Sequence, residues 1–591
     1  MTDQMTRRDQ RNAAISCCIL ILLGIMLFHH AKFGFIWGDE PHYFAVAYRF
    51  LQGDIPFLDD WHLSQIYSIL LIPFVGLYRW IAGSFDGILL FSRYFYVILQ
   101  TLMAMLIFRF LFQKERKMLA SLIPSCMFLI FCRANIQTIS YYSASAFCFT
   151  GACLLAADGS SGTHRRQTKH LMLYFSGILF GLCVFCNPMI LIAIAVMLIH
   201  LRKDRSAWFP MLLGGLTVAG IVCAAVLPHF DFALFRKYLP EILSTDNGKY
   251  EGSKLITLLK VQAWAFKNSH WVLILFIALG ILELWLRKKE LINAKWKSRC
   301  CFLNGTILLL SFLFTNRSVY WSSVSLFAGL LFGIDLMLLS EIRDHEFCFD
   351  TIIMGILAAF CWSVTSDTGF SAALIGYLTA AIGALYEGLH SLTDLLKDSD
   401  SRVQSCAILF SLIAAMLVPA DMMRERLSFF YRDAPYNQLT EVISRGPGKG
   451  IVTTSECVRR YDAIMDSLKS LNGKEGTIDI SGFCPWGYLC TDLKVGSFTT
   501  YRINTDEEYK KLERYYQTHP EKMPDYVLAL NWCDDEYTGE KSQECVYDKD
   551  RFPVFSELVQ LGKYSIKKVP AGFLMRKEAL HDPGWVNYPE F

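Results

Sequence analysis

For its first 419 residues the chain alternates long apolar stretches with short charged clusters, and then its character changes. Apolar runs of about 18 residues are long enough to cross a bilayer core. They predict spans at 13–28, 93–112, 118–133, 138–157, 171–186, 188–201, 208–228, 270–286, 301–315, 318–339, 349–365, 371–390 and 403–419. Beyond 419 the pattern is polar, with strands and helices in alternation. Gly450 to Thr454 reads as a strand, and Ser455 as the cap of a helix running to Leu471. Thr477 to Ser481 and Tyr526 to Leu530 read as further strands, with a helix capped by Thr505 between them. Tyr564 to Val569 and Gly572 to Arg576 read as a closing hairpin. The expectation is an α-helical polytopic membrane protein with about 13 transmembrane helices in 1–419 and a C-terminal extracytoplasmic α/β domain in 420–591.

Charge sets the sidedness. With the N-terminus inside, the inner loops are those holding Lys114 to Lys117, Arg165 to Lys169, Arg202 to Arg205 and Arg287 to Arg299. These are the strongest basic clusters between spans, as the positive-inside rule requires. Residues 64–82 resemble one more span, but counting them would move every one of those clusters outside. They are therefore expected to form a helix lying in the outer face, interrupted at Pro73. The first loop, 29–92, and the tail are then extracytoplasmic, and the N-terminus is cytoplasmic at a plasma membrane. The first run follows Arg7, Arg8 and Arg11 but lacks a small-residue cleavage site, so it reads as a retained span.

Composition adds only a little. Hydrophobic residues make up 53% of the 591, charged residues 19%, and the net charge is +3, with basic residues confined to loops. Nothing in that distribution calls for nucleic acid. Of the 19 cysteines, 14 lie in the apolar part and behave as small hydrophobes. Cys533 and Cys545 are suited to a disulfide if the tail is extracytoplasmic, although the odd tail count leaves a free thiol. The tail has no glycine-rich phosphate loop, so no nucleotide is assigned to it.

The candidate chemistry sits in the first loop. Gly38-Asp39-Glu40-Pro41 has the form of a helix start, and Phe44, Ala47, Tyr48 and Leu51 follow at helical spacing until Gly53. The segment is expected to be a short amphipathic helix on the membrane surface. A cap explains one of the two acids, whereas a second carboxylate near lipid is costly and points to function. A second acid pair follows in Asp59-Asp60-Trp61-His62-Leu63-Ser64-Gln65. There Asp60 can cap a helix starting at Trp61, which would put His62 and Gln65 on one face. One His with one Gln is not a metal site by spacing. Arg133 and Arg317 lie at outward turns and suit phosphate, while snorkelling to headgroups is their structural alternative. Loop 229–269, with Arg236, Lys237, Lys249, Lys254, Lys260 and Lys267, is a candidate lid or cationic rim.

The acid pair after the first span, the surface helix to Asp54, the second polar motif, the many spans and the α/β tail together resemble the GT-C superfamily of membrane glycosyltransferases. Relatives there include protein O-mannosyltransferases, aminoarabinose transferases and the RgtA/B/C/D-like bacterial group. The resemblance covers the whole architecture and is concentrated in residues 35–95. It implies an inverting transfer of sugar from a polyprenyl-phosphate carrier to an envelope glycan, lipid or protein. It also implies that Asp39 is the general base, with Glu40 as its neighbour in binding or orientation. Asp59, Asp60, His62, Gln65, Arg133 and Arg317 are then candidate substrate contacts. A divalent cation, magnesium or manganese, is implied for some relatives, with Asp39 and Asp60 as candidate ligands. Relatives often carry Lys-Pro-Pro or His-Pro-Pro where this chain has Trp61 to Gln65, and many have another acid where it has Asn135, Tyr141 and Tyr142. Two other readings stay open. One is a transporter or flippase for lipid-linked glycans, although no internal repeat is evident. The other is a non-catalytic envelope assembly protein.

Overall fold

The structure is a computed structural model describing residues 6–161, 165–202, 204–243, 273–291, 293–314, 322–339, 344–365, 373–397, 401–428, 430, 432–503, 506–531 and 563–577, with isolated positions between 256 and 263. Arg317, Thr505, Cys533 and Cys545 lie outside the described residues, as do Lys249, Lys254 and Lys267. Among the described residues, nine helices are long and apolar enough to cross a membrane.

The helices are α1 (Arg7–His30), α2 (Asp39–Leu51), α3 (Gln65–Ala82), α4 (Ile88–Glu115), α5 (Met118–Ile130), α6 (Tyr141–Ser160), α7 (Arg166–Cys186), α8 (Ile190–Leu201), α9 (Arg205–Val226) and α10 (Phe232–Leu243). There follow α11 (Ile274–Lys288), α12 (Ala294–Phe314), α13 (Ser322–Leu338), α14 (His345–Thr365, with a π-helical stretch at Phe349–Ile353), α15 (Leu374–Lys397), α16 (Arg402–Ala415) and α17 (Leu417–Ser428). Close helix approach relies on glycine. A methyl group on Gly177 of α7 would lie 1.9 Å from the Met211 carbonyl oxygen of α9, and one on Gly214 would lie 2.1 Å from Tyr174 O. Small residues replace hydrophobic driving force at such membrane crossings.

The C-terminal part has α18 (Ser455–Lys469) and α19 (Asp506–Thr518) against a five-stranded sheet of order β4-β3-β5-β7-β6. In it β3 (Thr477–Ser481) pairs in parallel with β4 (Lys494–Val495) and β5 (Tyr526–Leu530). The hairpin β6 (Tyr564–Val569) and β7 (Gly572–Lys577) closes it antiparallel, through β7 on β5. The expected partly parallel sheet is present. The segment at 450–454 is instead a two-residue strand, β2 (Val452–Thr453), paired with β1 (Glu441–Val442) in a separate ribbon. Thr454 rather than Ser455 caps α18, because its hydroxyl accepts from the Cys457 amide.

The loops segregate to two ends of the bundle. At one end Lys114 pairs with Asp344 at 2.7 Å, Lys117 with Asp394 at 2.7 Å, Lys169 with Asp204 at 2.6 Å, and His200 meets Glu346 at 2.7 Å. These residues belong to the loops, or flank the loops, that charge assigned to one side. At the other end the C-terminal part takes hydrogen bonds from the loops assigned to the opposite side. Gly34 N donates to Val452 O, Gly87 N to Gly446 O, and Trp61 N to Phe498 O. Arg514 holds Glu241 of α10 through two bonds of 2.9 Å.

Both ends of α3 meet the C-terminal part. Its start is tied there through Trp61, and its end through Arg79, which pairs with Asp492 at 2.6 Å. An 18-residue helix is about 27 Å long, and α3 is also long and apolar enough to cross a membrane. Its expected break at Pro73 is absent. The missing N–H costs one hydrogen bond of the ladder, and packing carries the helix through. The short helix expected from Asp39 is present as α2. Residues 40–49 are all buried, because the C-terminal part roofs the helix.

If α3 lies along one face, Leu63→Cys and Ser84→Cys will both be labelled by a membrane-impermeant thiol reagent from the same side of sealed vesicles. Labelling from opposite sides would make α3 a span.

Candidate active site

The start of α2 is fixed by Glu40. This carboxylate is wholly buried, with Oε2 accepting from Arg93 Nη2 at 2.6 Å and Nε at 2.9 Å. Its Oε1 accepts from the Gln137 amide at 2.8 Å, and Arg93 Nη1 reaches Ala31 O at 3.0 Å. One ion pair thus joins α1, α2, α4 and the loop after α5. Burial pushes the Glu40 carboxyl up, while Arg93 and the Gln137 amide pull it back toward the ionised form. Both of its oxygens are engaged, one by Arg93 and the other by the Gln137 amide.

Its neighbour Asp39 is placed differently. Asp39 begins α2, where the helix dipole favours a carboxylate. Its Oδ1 accepts from the Tyr501 hydroxyl at 3.1 Å, while Oδ2 is buried with no hydrogen-bond donor among the described residues. Gly38 makes this possible. A methyl group there would sit 1.8 Å from the Phe483 ring, so that ring lies against the backbone next to Asp39. Phe483 packs edge-on against Tyr501 with centroids 5.2 Å apart, and the guanidiniums of Arg432 and Arg502 lie 4.9 and 5.7 Å from the Phe483 centroid.

Tyr501 also stacks near two histidines. His42 Nδ1 is 3.1 Å from Thr500 Oγ1, and its Nε2 is 2.7 Å from Ser64 Oγ. His62 Nδ1 is 2.6 Å from that same hydroxyl. The Ser64 proton can serve only one of them, so the other ring donates. Burial, reinforced by His62, holds His42 well below the ordinary histidine value, in the neutral form. On the other flank Tyr43, Tyr141, Tyr142 and Trp362 form an aromatic wall, with Tyr43 and Tyr141 centroids 5.4 Å apart. Arg133 lies 3.6 Å over Tyr142. Ala134 and Asn135 after it are left-handed at φ 49° and 55°, which turns the chain back so that Gln137 reaches Glu40.

The second acid pair is drawn into a buried charge network. Arg49 Nε bonds Asp54 Oδ2 at 2.5 Å, and its Nη1 faces Asp60 Oδ2 at 3.3 Å. Lys522 of the C-terminal part pairs with Asp54 at 2.5 Å and with Asp59 at 3.3 Å. Asp59 Oδ2 also accepts from the Ile55 amide at 2.6 Å. Asp60 Oδ1 accepts from the His62 amide at 2.8 Å, and burial pushes the Asp60 carboxyl up to about 6 despite Arg49. The helix expected at Trp61 begins only at Gln65, after Ser64. Gln65 is not on a shared face with His62 but is folded back: Nε2 donates to Asp60 O at 2.8 Å, and Oε1 accepts from Phe57 N at 2.6 Å. Asp59, Asp60 and Gln65 thus hold the loop against the tail.

Among the described residues no group of three or more His, Cys, Asp or Glu is placed to hold a metal ion. Asp39 has one oxygen without a donor, but Asp60, its candidate co-ligand, faces Arg49 and the His62 amide. A groove of about 500 Å³ opens beside the loop, between Ile69, Leu70, Ile72 and Pro73 of α3 and Ile221, Val222, Ala225 and Val226 of α9, with Asp54 and His229 at its polar edge.

Arg93, Tyr501, His42 and Arg49 were not singled out in the sequence. Arg93 carried a usable signal, as a lone arginine at the head of an apolar span. Tyr501 carried none, because its partner is 462 positions away.

No family model matches the chain, and no curated protein matches it. It is similar to solved structures of an archaeal oligosaccharyltransferase from Archaeoglobus fulgidus. One is AglB in complex with an inhibitory peptide and a dolichol-phosphate, at 13% identity and TM-score 0.42, over 98% of this chain and 75% of that one. Another is tethered to an acceptor peptide, at 13% identity and TM-score 0.41, over 98% and 74%. A third is a complex with zinc and sulfate, at 13% identity and TM-score 0.40, over 98% and 73%.

Two outcomes follow from the buried charges. Glu40→Gln leaves Arg93 unpaired in a dry site and should cost about 3–5 kcal/mol, seen as a lower melting temperature, while Asp39→Asn should leave melting unchanged. His42 is held neutral, so its contribution is full above the ordinary value of about 6.5 and is lost as pH falls below it. The melting difference between wild type and His42→Asn should therefore shrink on acidification, and a constant difference from pH 8 to pH 5 would contradict a buried neutral His42.

Proposed function

We propose that this protein is a membrane glycosyltransferase of inverting type, moving a sugar from a polyprenyl-phosphate carrier to a cell-envelope acceptor. The transfer takes place at the membrane face roofed by the C-terminal part. The basic loops at the far end support a cytoplasmic N-terminus and an extracytoplasmic site. One observation carries this reading: the Asp39 carboxylate is steered by Tyr501 through one oxygen while the other, buried at a membrane boundary, lacks a donor.

In the reaction Asp39 Oδ2 takes the proton from the acceptor's nucleophilic group. The freed electron pair attacks the anomeric carbon from the side opposite the carrier phosphate. The bond from that carbon to the phosphate oxygen breaks, and the phosphate leaves with the electron pair. Arg133, Arg432 and Arg502 are the cationic candidates to meet that charge, as bidentate donors suited to phosphate. Tyr43, Tyr141 and Tyr142 offer aromatic faces to a sugar ring. The apolar groove between α3 and α9 suits the isoprenoid tail of the carrier. Glu40 and Arg93 fix the backbone from which Asp39 projects.

The test is transfer from a synthetic polyprenyl-phosphate sugar to membrane acceptors, alongside glycan analysis of a deletion strain. Asp39→Asn should reduce product about 100-fold or more with unchanged expression and melting temperature. Full activity in that variant would leave the assembly-protein reading standing. Product lost while the carrier still crosses the membrane would set aside the flippase reading.

A further inference from the structure

A second polar cluster lies inside the bundle, unrelated to the Asp39 site. Glu283 of α11 and Asn304 of α12 are wholly buried, and Asp335 of α13 is 4% exposed. Asn304 Nδ2 approaches Glu283 Oε1 at 3.4 Å. The Asp335 carboxylate faces α11 one turn away, since a methyl group on Gly280 would lie 2.8 Å from its Oδ1. Glu283 Oε2, Asp335 Oδ2 and Asn304 Oδ1 are all buried with no hydrogen-bond donor. Among the described residues, three acceptor oxygens on three packed helices thus lie buried without a donor of their own, with the Cys300 thiol beside the Glu283 carboxyl.

Two acids in this setting cannot both stay ionised without a counter-charge. Asp335 is the sole charged residue of α13, so no basic residue of that helix neutralises it. The titratable neighbours are Cys300 and Cys301 of α12, with Lys297 beyond Cys301. On α11 the first cations are Arg287 and Lys288, a turn further along. The cluster also lies far from the Asp39 face. Ser325 of α13 bonds Asp421 of α17, the helix whose Arg426 meets the α5 carbonyls, and Asp335 is about 15 Å further along α13. It thus sits near the end of the bundle that carries Arg287, Lys288, Lys295, Lys297 and Arg299.

We propose that Glu283, Asp335 and Asn304 form an intramembrane binding site for a monovalent metal cation, with sodium as the probe and the proton as its competitor. One bound ion and one retained proton neutralise the two carboxylates. The side-chain oxygens fit a hard cation, whereas the donor set lacks the three or more His, Cys, Asp or Glu ligands of a transition-metal site. Occupancy would lock α11, α12 and α13 together, a stabilising role that needs no part of the transfer chemistry.

The full chain in nanodiscs is melted in sodium, lithium, potassium or N-methylglucamine chloride at constant ionic strength, and radiolabelled sodium binding is measured in parallel. Sodium should raise the melting temperature by about 3 °C or more over N-methylglucamine, and by more at pH 8 than at pH 6, since protons compete. The rise and the bound label should both disappear in Glu283→Gln and in Asp335→Asn. Cation-independent melting in the wild type, or sodium binding that survives both substitutions, overturns the proposal. If either variant fails to fold, wild-type label binding decides, and its absence at pH 8 overturns the site. A melting temperature that rises with acid alone, with no metal dependence, makes the proton the sole occupant and also overturns it.

Discussion

The half of this molecule that meets the C-terminal part depends on the ion pair between Glu40 and Arg93. It is dry, it is bidentate on Oε2, and its remaining oxygen takes a backbone amide. A buried pair of this kind adds little net stability over apolar packing, yet breaking it strands a charge. Its value here is geometric. It fixes the first turn of α2 against α4, and through the Arg93 bond to Ala31 it also holds the exit of α1. Asp39 is the next residue along the chain, so its position is inherited from a contact in which it takes no part.

A second constraint comes from the C-terminal part, which roofs the first loop. Lys522 and Tyr515 reach the Arg49–Asp54–Asp60 network, Thr500 reaches His42, and Tyr501 reaches Asp39. Membrane loop and tail therefore share one polar interior. The roof also removes water from α2, which explains why both its apolar and its polar faces are buried, and why Arg49, in the last turn of that helix, needs two carboxylates and a tyrosine. A domain that only recognised a partner would not have to send side chains into this layer.

Much of this was legible in the sequence, and what was not has a physical cause. Apolar length marked the helices of the bundle, and the ion pairs joining Lys114, Lys117 and Lys169 to distant acids gather those basic loops at one end. The same charge argument expects an interfacial course for α3. Its continuity through Pro73 was not legible, because a proline's effect depends on what packs around it. The acid pair at 39–40 was visible, but the division of labour within it was not. Local sequence cannot say which carboxylate meets an arginine 53 positions later. Asp60 looked like a helix cap because caps are local, yet the helix begins four residues further on, as Asp60 is drawn to Arg49 and the His62 amide. The strand at Lys494–Val495 is too short to leave a periodic trace.

The pattern of satisfaction carries the final step. In the first loop Glu40, Asp54, Asp59 and Asp60 each have an arginine, a lysine or a backbone amide on their oxygens, as buried carboxylates must. An orphaned buried oxygen costs stability. Among the described residues Asp39 keeps Oδ2 without a donor, although Arg432 and Arg502 both lie against the neighbouring Phe483 ring and a tyrosine already holds Oδ1. Holding one oxygen while leaving its twin open orients the open lone pairs without neutralising them. That is the arrangement a general base requires, and it is poorly suited to a structural cap, which would use its free oxygen on the exposed amides of its own helix.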